Sequence, residues 1–166
     1  MTVVGAGALA AVVAGCSSTA TLVDHPAGST SPAHVGDTLT LKTQAGRSFD
    51  ITLTQVSDPA HSTGSSPSSS KRYVAVLFKV TNTSSQAISG DANADADVVG
   101  NNDQTYSPAH VTLSECGSSS ARFQPAAGAS STSCVAFLIK KSVSVSQVQF
   151  SPAAGAASVY GQWQVP

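Results

Sequence analysis

From Val35 onward, apolar and polar residues alternate along most of the chain. The segments Thr38–Lys42 and Phe49–Thr54 both have this period of two, which is typical of strands with one buried face, and the turn sequence Gln44–Gly46 separates them. A longer strand is predicted at Arg72–Thr83, where both faces carry apolar residues. Such a strand suits a central position in a sheet.

Shorter strands are predicted in the second half of the chain. They are Ala94–Val99, Gln104–Tyr106, Arg122–Phe123, Ser133–Ile139, Val143–Phe150 and Ser158–Val165. The polar stretches Ser57–Ser70 and Ser114–Ser131 are predicted to be loops, the second around the short strand at Arg122, and Gly100–Asp103 is predicted to be a tight turn. No segment of this region has a helical repeat. The pattern therefore predicts an antiparallel β-sandwich of short strands.

The N-terminal residues 1–15 are apolar and uncharged. This stretch is too short to span a membrane but has the length of the apolar region of a signal peptide. It ends in Val13–Cys16, which resembles the lipobox of bacterial lipoproteins. In that family the cysteine thiol receives a diacylglyceryl group and the peptide is cut before it. The missing basic n-region indicates a start upstream of Met1, and the alternative is an ordinary secretory signal with a chance cysteine.

Residues 16–34 are rich in Ser, Thr, Pro and Gly. A segment of this composition buries little apolar surface, so we predict a flexible tether. Two or more acyl chains hold a protein stably on a membrane. We therefore expect the membrane to be a partner through acylated Cys16, at the outer face of the bacterial cell membrane, with shedding or secretion as the alternative.

The chain has three cysteines, Cys16, Cys116 and Cys134. If lipid consumes Cys16, two thiols are left, and export would place them in an oxidising compartment where pairing is expected. A Cys116–Cys134 disulfide would close a loop of about 17 residues and contribute about 3 kcal/mol in a chain-entropy treatment. The alternative is a metal site, but two thiols without neighbouring ligands do not make a tetrahedral zinc site.

Charge and aromatic content limit the classes of partner. Charged residues make up 10% of the 166 residues and the formal net charge is −1. A nucleic-acid binder needs a basic footprint, which eight Lys and Arg residues do not supply. With aromatic residues at 5%, a platform for stacking bases is also not expected. We therefore exclude nucleic acid as a partner.

Candidate metal ligands are sparse. The histidines are His25, His34, His61 and His110, and their spacing matches no zinc ligand set. The segment Asp91–Asp97 begins like a calcium loop, with oxygen-bearing side chains at alternate positions. The pattern then fails, because Ala96 stands where the loop needs Gly and Asn102 where it needs a bidentate Glu. The alternative is a strand with Asp95 and Asp97 facing water and Ala94 and Ala96 facing inward.

Catalytic motifs are also missing from the sequence. There is no Gly-x-Ser-x-Gly elbow and no glycine-rich phosphate loop, and Glu115 is the single glutamate of the chain. We therefore predict no catalytic residues, no metal and no cofactor, and we do not expect an enzyme.

Several features together resemble one known family. They are the opening Val35–Thr38, the strand and turn Arg72–Ser84, the loop residue Gly128 before Cys134–Phe137, and the C-terminal Val148, Phe150 and Trp163. Residues 35–166 are similar to the immunoglobulin-like domain of bacterial surface lipoproteins and secreted actinobacterial antigens, the immunoprotective extracellular antigen family. The resemblance implies an all-β, immunoglobulin-like antiparallel β-sandwich of about 7–8 strands. It also implies an extracytoplasmic location, and it brings no catalytic residues.

We therefore expect a membrane-anchored, non-enzymatic binding or interaction module. The alternative is a small-ligand carrier or an accessory subunit of an exported enzyme or transporter. A cavity lined by aromatic residues would favour the carrier, whereas a flat exposed patch would favour the interaction module. Three loop regions are predicted to make the contacts, namely Ser57–Ser70, Asp91–Asp103 and the loop between Cys116 and Cys134.

Overall fold

The computed structural model describes residues 21–43, 46–152 and 159–166. The strands are β1 (Thr21–Val23), β2 (Thr38–Lys42), β3 (Ser48–Ala60), β4 (Lys71–Asn82), β5 (Gly90–Asp91), β6 (Ala96–Gly100), β7 (Thr105–Tyr106), β8 (Arg122–Phe123), β9 (Ser130–Lys140), β10 (Val145–Phe150) and β11 (Val159–Gln164). One short helix, α1 (Ala92–Asp95), follows β5, and a 3₁₀ turn forms at Ser114–Cys116. In these ranges seven strands have five residues or more, and all seven had been predicted.

The strands form two main sheets and a small ribbon. One main sheet has four strands in the order β2-β3-β4-β9, all antiparallel, and β4 is central as predicted. The other has five strands in the order β1-β11-β10-β6-β7, with β1 parallel to β11 and the remaining pairs antiparallel. Strands β5 and β8 pair with each other. The two main sheets pack face to face, which confirms the predicted β-sandwich.

The core between the sheets contains the largest aromatic side chains. The Phe78 ring lies edge-on to the Phe150 ring with centroids 5.1 Å apart, and it lies 6.1 Å from Trp163. All three are fully buried. The Trp163 indole Nε1 donates a hydrogen bond to the carbonyl of Asp37 at 3.0 Å, which satisfies the one polar atom that this ring buries. This contact joins β11 to the residues before β2 and closes the sandwich along that side.

The prediction of a flexible tether through His34 is wrong for residues 21–34. Thr21–Val23 forms β1 against β11, and Ala33 is fully buried. Without β1, strand β11 would present unpaired backbone groups at the edge of the sheet, so this pairing satisfies them. The apolar residues involved are too scattered to produce a periodic pattern. Residues 16–20 of the predicted tether lie outside the described residues. No helix within the described ranges is long and apolar enough to cross a membrane.

The prediction of a loop from Ser57 also needs correction, because β3 continues to Ala60. Its pairing with β4 is irregular, with register shifts after Leu53 and after Ser57. Such bulges interrupt the alternation of apolar and polar residues, which is why the polar sequence looked like a loop. The Asp58 carboxylate binds the Arg72 guanidinium through two hydrogen bonds, which join this end of β3 to the start of β4.

Candidate functional site

A loop covers part of the outer face of the four-stranded sheet. It comprises residues 108–120, and we call it the lid. Both of its ends are hydrogen-bonded to β9: the Ala109 amide donates to the carbonyl of Ala136 at 2.7 Å, and the Cys134 amide donates to the carbonyl of Ser120 at 3.0 Å. The lid therefore occupies the free edge of β9 and satisfies backbone groups that an edge strand leaves unpaired.

The middle of the lid crosses to the far end of β3. There the Ser114 amide donates to the carbonyl of His61 at 2.8 Å, and the Thr63 amide donates to the carbonyl of Thr112 at 3.1 Å. The lid is thus attached at both sides of the sheet and spans the strand between them.

Beneath the lid lies a second, smaller core that we call the outer cluster. Its buried members are Ala60, Tyr73, Ala75, Leu113, Cys134 and Ala136. Leu113 comes from the lid and is only 1% exposed. The cluster explains why β4 carries apolar residues on both faces, since its inner face meets the main core and its outer face meets the lid.

A disulfide fastens the lid to the sheet. The Sγ atoms of Cys116, in the lid, and Cys134, in β9, are bonded, and the two Cα atoms are 5.5 Å apart. This is the pair that the sequence predicted. The third cysteine, Cys16, lies outside the described residues.

An acid–imidazole contact also attaches the lid. His61 Nδ1 lies 2.7 Å from Oε1 of Glu115, and the His61 backbone amide donates to the Glu115 carboxylate at 3.0 Å. The Ser114 hydroxyl donates to the other oxygen at 3.1 Å. Burial by itself would raise the pKa of Glu115, but these hydrogen bonds to the charged form outweigh it and lower the pKa to about 2. Glu115 therefore stays charged across the physiological range.

A cavity of about 360 Å³ opens between the lid and the sheet. The residues lining it are Asn93, Ala109, His110, Val111, Thr112, Leu113, Cys116, Ser119, Ser120, Ala121, Cys134 and Ala136. This volume is at the lower end of the range for small-molecule sites. Two of the three regions predicted to make contacts line this cavity, through Asn93 of the second and Ser119 of the third. The first region contributes no lining residue, although its His61 binds the lid at Glu115.

The lining determines what the cavity can bind. Its wall combines apolar groups, including Leu113 and the disulfide, with hydrogen-bonding side chains such as those of Asn93, Thr112 and Ser119. No carboxylate, lysine or arginine is among these lining residues. A cationic ligand would find no carboxylate there, and an anionic ligand would find only the His110 imidazole, so placing a full charge in this cavity is costly. The cavity therefore suits an uncharged small molecule with an apolar side and a few polar atoms.

A second cavity, of about 490 Å³, lies at one end of the sandwich between β3 and β10. Its lining residues are Val35, Val56, Asp58, Ser144, Val145, Val165 and Pro166. The one charged group, Asp58, is already bound by Arg72. This site offers fewer polar groups to orient a ligand than the cavity beneath the lid, so we regard it as the weaker candidate.

The segment Asp91–Asp97 forms helix α1 and the first residues of β6, so the strand predicted from Ala94 begins two residues later. Asp91 caps helix α1, its carboxylate accepting from the Asn93 amide at 3.0 Å, and β6 begins only at Ala96. Because the helical turn changes the side-chain directions, Asp95 is buried and Ala94 is exposed, the reverse of the strand expectation. In the described part of the chain, no three residues of the His, Cys, Asp and Glu types come together to hold a metal.

Solved structures of other bacterial proteins have a similar fold. The YjhA protein of Bacillus subtilis is 13% identical, over 81% of this chain and 99% of its own, with a TM-score of 0.56. YcdA, a candidate lipoprotein of the same species, is 14% identical over 80% of this chain and 39% of its own, with a TM-score of 0.57. The secreted protein MPT63 of Mycobacterium tuberculosis is 17% identical over 82% of this chain and 99% of its own, with a TM-score of 0.56.

At these identities the likeness establishes the β-sandwich fold alone. No family model matches the chain, and no curated protein matches it. The fold implied by the sequence resemblance is therefore confirmed, whereas membership of the immunoprotective extracellular antigen family stays a prediction.

Sequence reasoning missed the contact between His61 and Glu115. These residues are 54 positions apart, and His61 lies in a Ser-rich stretch that showed no pattern. The one available clue was that the single glutamate of the chain falls just before Cys116 in the lid.

Proposed function

We propose that this protein is an extracytoplasmic, lipid-anchored binding module without catalytic activity, and that the cavity beneath the lid holds an uncharged small ligand. The observation that carries the proposal is a cavity whose wall combines residues of the lid with Asn93 of α1 and two residues of β9. A loop of 13 residues attached by a disulfide, a carboxylate and backbone hydrogen bonds is more than a sandwich needs for its main core.

The location rests on three supports. Cys16 ends a lipobox-like sequence. A disulfide persists in oxidising compartments, which for bacteria means outside the cytoplasm. Two proteins of the same fold are described as a candidate lipoprotein and as a secreted protein. Acylation of Cys16 would place the domain at the outer face of the cell membrane.

The composition of the cavity wall favours a binding module over a carrier of flat apolar molecules. None of its lining residues is Phe, Tyr or Trp, and the His110 imidazole is the one aromatic ring among them, so the extended stacking surface that such a carrier would use is missing. The mixture of small apolar and hydroxyl-bearing residues suits a compact polar ligand.

Nuclear magnetic resonance titration tests the cavity. We expect saturable shifts of the Asn93 and Thr112 amides when uncharged probes such as benzyl alcohol, 1-hexanol and N-acetylglucosamine are added separately. Ser119→Leu should abolish these shifts because Ser119 lines the cavity. The matched control is Ser118→Leu, because the neighbouring Ser118 is exposed and does not line it. Shifts scattered over the surface, or equal in both variants, would contradict the site.

Fractionation tests the anchor. The normal chain, grown with a labelled fatty acid, should carry the label and sediment with membranes. Cys16→Ala should lose the label and either release the protein or block its maturation. An unlabelled normal chain with unchanged membrane association would refute lipidation while leaving the cavity test unaffected.

A further inference from the structure

The outer face of the five-stranded sheet carries a block of four glutamines. In β11, Gly161 and Trp163 face the core, so Gln162 and Gln164 face outward. In β10, Val148 and Phe150 face the core, so Gln147 and Gln149 face outward. The strand register pairs Gln147 with Gln164 and Gln149 with Gln162. We call this two-by-two block the glutamine face.

The glutamine face is partly preorganised. Gln149 Nε2 donates a hydrogen bond to Gln162 Oε1 at 2.9 Å, and all four side chains are partly buried against their neighbours. Side chains held in this way lose less conformational freedom when a ligand binds. Each amide offers one acceptor oxygen and two donor hydrogens, so the block presents both kinds of group side by side.

The sheet that carries this face is nearly free of charge. Among the described strands of the five-stranded sheet, Asp97 is the single charged residue, and its carboxylate is hydrogen-bonded to Ser107. Asp97 lies opposite Gln149 in the register, at one side of the block. Without lysine or arginine, the face offers no counter-charge to a nucleic acid, an anionic lipid or an acidic polymer.

The apolar residues of the sheet surface lie beside the block rather than at its centre. Leu22, which is 39% exposed, pairs with Tyr160 on one side, and Val99 pairs with Gln147 on the other. A stable interface between two copies of a chain needs an apolar centre with a polar rim. Here the amides lie in the centre and the apolar residues at the margin. This surface therefore does not favour binding a second copy of the chain.

We propose that the glutamine face binds an uncharged glycan. Sugar hydroxyls both donate and accept hydrogen bonds, which matches the amide groups of the block, and a neutral glycan needs no counter-charge. The block runs along two neighbouring strands, which suits an extended chain, and the Tyr160 ring at the margin can contact the apolar face of a sugar ring. This surface lies on the opposite sheet from the lid, so the proposal does not depend on the ligand of the cavity.

Affinity electrophoresis tests the proposal. The full chain, kept in a polyoxyethylene detergent that carries no sugar, is run in native gels containing dextran, galactomannan or hydroxyethyl cellulose, with polygalacturonate as the anionic polymer. We expect retardation by at least one neutral polymer. Gln147→Ala combined with Gln164→Ala should weaken that binding about tenfold, from the loss of several hydrogen bonds. Gln55→Ala, in an exposed position of β3, is the matched control and should bind normally.

Thermal unfolding of the variants must be unchanged, so that weaker binding reports the surface and not the fold. The proposal is overturned if no neutral polymer retards the chain, if only polygalacturonate does, or if the paired variant binds like the Gln55 control. Analytical sedimentation tests whether a second copy of the chain covers this face instead. That alternative would be shown by a dimer in the normal protein that is absent in the paired variant.

Discussion

The outer faces of the two sheets of the sandwich differ in charge and in apolar content. The strands of the four-stranded sheet carry seven charged residues and an apolar patch, and the lid covers that patch. The described strands of the five-stranded sheet carry one charged residue and a block of amides. An apolar patch has to be covered because its exposure to water costs free energy, whereas amides are satisfied by water or by a hydroxyl-bearing ligand. The lid is therefore part of the stability of one sheet, and the glutamine face is free for binding on the other.

Removing the disulfide should destabilise the lid and the four-stranded sheet more than any other change considered below. The paired substitution Cys116→Ala and Cys134→Ala removes the crosslink that fastens the lid, and it should lower the free energy of unfolding by about 3 kcal/mol. Urea denaturation measures the loss. The reduced normal protein is the control and should behave like the variant. An unchanged free energy of unfolding would mean that the crosslink contributes nothing to stability and that the other contacts of the lid suffice.

The same leucine truncation on the two sheets should give different results. Leu113→Ala empties the centre of the outer cluster and should cost about 2 kcal/mol, at the low end for a buried leucine because a surface loop can partly collapse. Leu22→Ala, at the margin of the five-stranded sheet, should cost less than about 0.5 kcal/mol because Leu22 is already 39% exposed. If both variants lost the same free energy in thermal or urea unfolding, the outer cluster would be no more important for stability than the exposed margin of the five-stranded sheet.

Acid should weaken the attachment of the lid. The pKa of Glu115 is about 2 in the folded chain against 4.5 for the unperturbed group. A lowered folded pKa gives stability that is complete above 4.5 and is lost as the pH falls towards 2. The protection factor of the Ser114 amide, which corrects its hydrogen-exchange rate for the intrinsic rate at each pH, should fall over that interval in the normal protein. Glu115→Gln should exchange faster at neutral pH and respond less to acid, and an identical acid response would contradict the assignment.

The smallest effect is expected at Asp97. Burial raises the pKa of this carboxyl above 3.8, with the hydrogen bond to Ser107 opposing the shift. Because the raised pKa means that the fold disfavours the charged form, Asp97→Asn should slightly raise the melting temperature at neutral pH. Well below pH 3.8 both side chains are neutral and the difference should vanish. A lower melting temperature at neutral pH would show that the charge supports this sheet.

The long strands and the cysteine pair could be predicted because the information that specifies them is local or nearly so. Alternation within β2 or β4 reports directly which residues face the core, and an odd cysteine count with a lipobox leaves two to pair. The glutamine face was not predicted, because it is defined by the register between β10 and β11.

The errors arise where contacts between distant residues decide the structure. Strand β1 forms because β11 offers it an edge 138 positions later, as in the pairing of Thr21 with Val159. The polar end of β3 stays a strand because Asp58 is held by Arg72. The lid closes over its cavity through His61 and Glu115, which no local pattern connects. Sequence reasoning therefore named two of the regions that line the candidate site, around Asn93 and Ser119, but neither residues 109–113 nor the way these parts meet.

The early start of the folded domain limits how far an anchored molecule can reach. A tether through His34 would extend to about 65 Å, since an extended residue spans at most about 3.6 Å. Because β1 begins at Thr21, the chain from an acylated Cys16 can extend only about 18 Å before the sandwich begins. A domain joined to its lipid anchor by so short a segment would stay in the layer next to the bilayer. Its ligands would have to come from the innermost zone of the envelope, where a weakly binding surface meets the same polymer repeatedly at high local concentration.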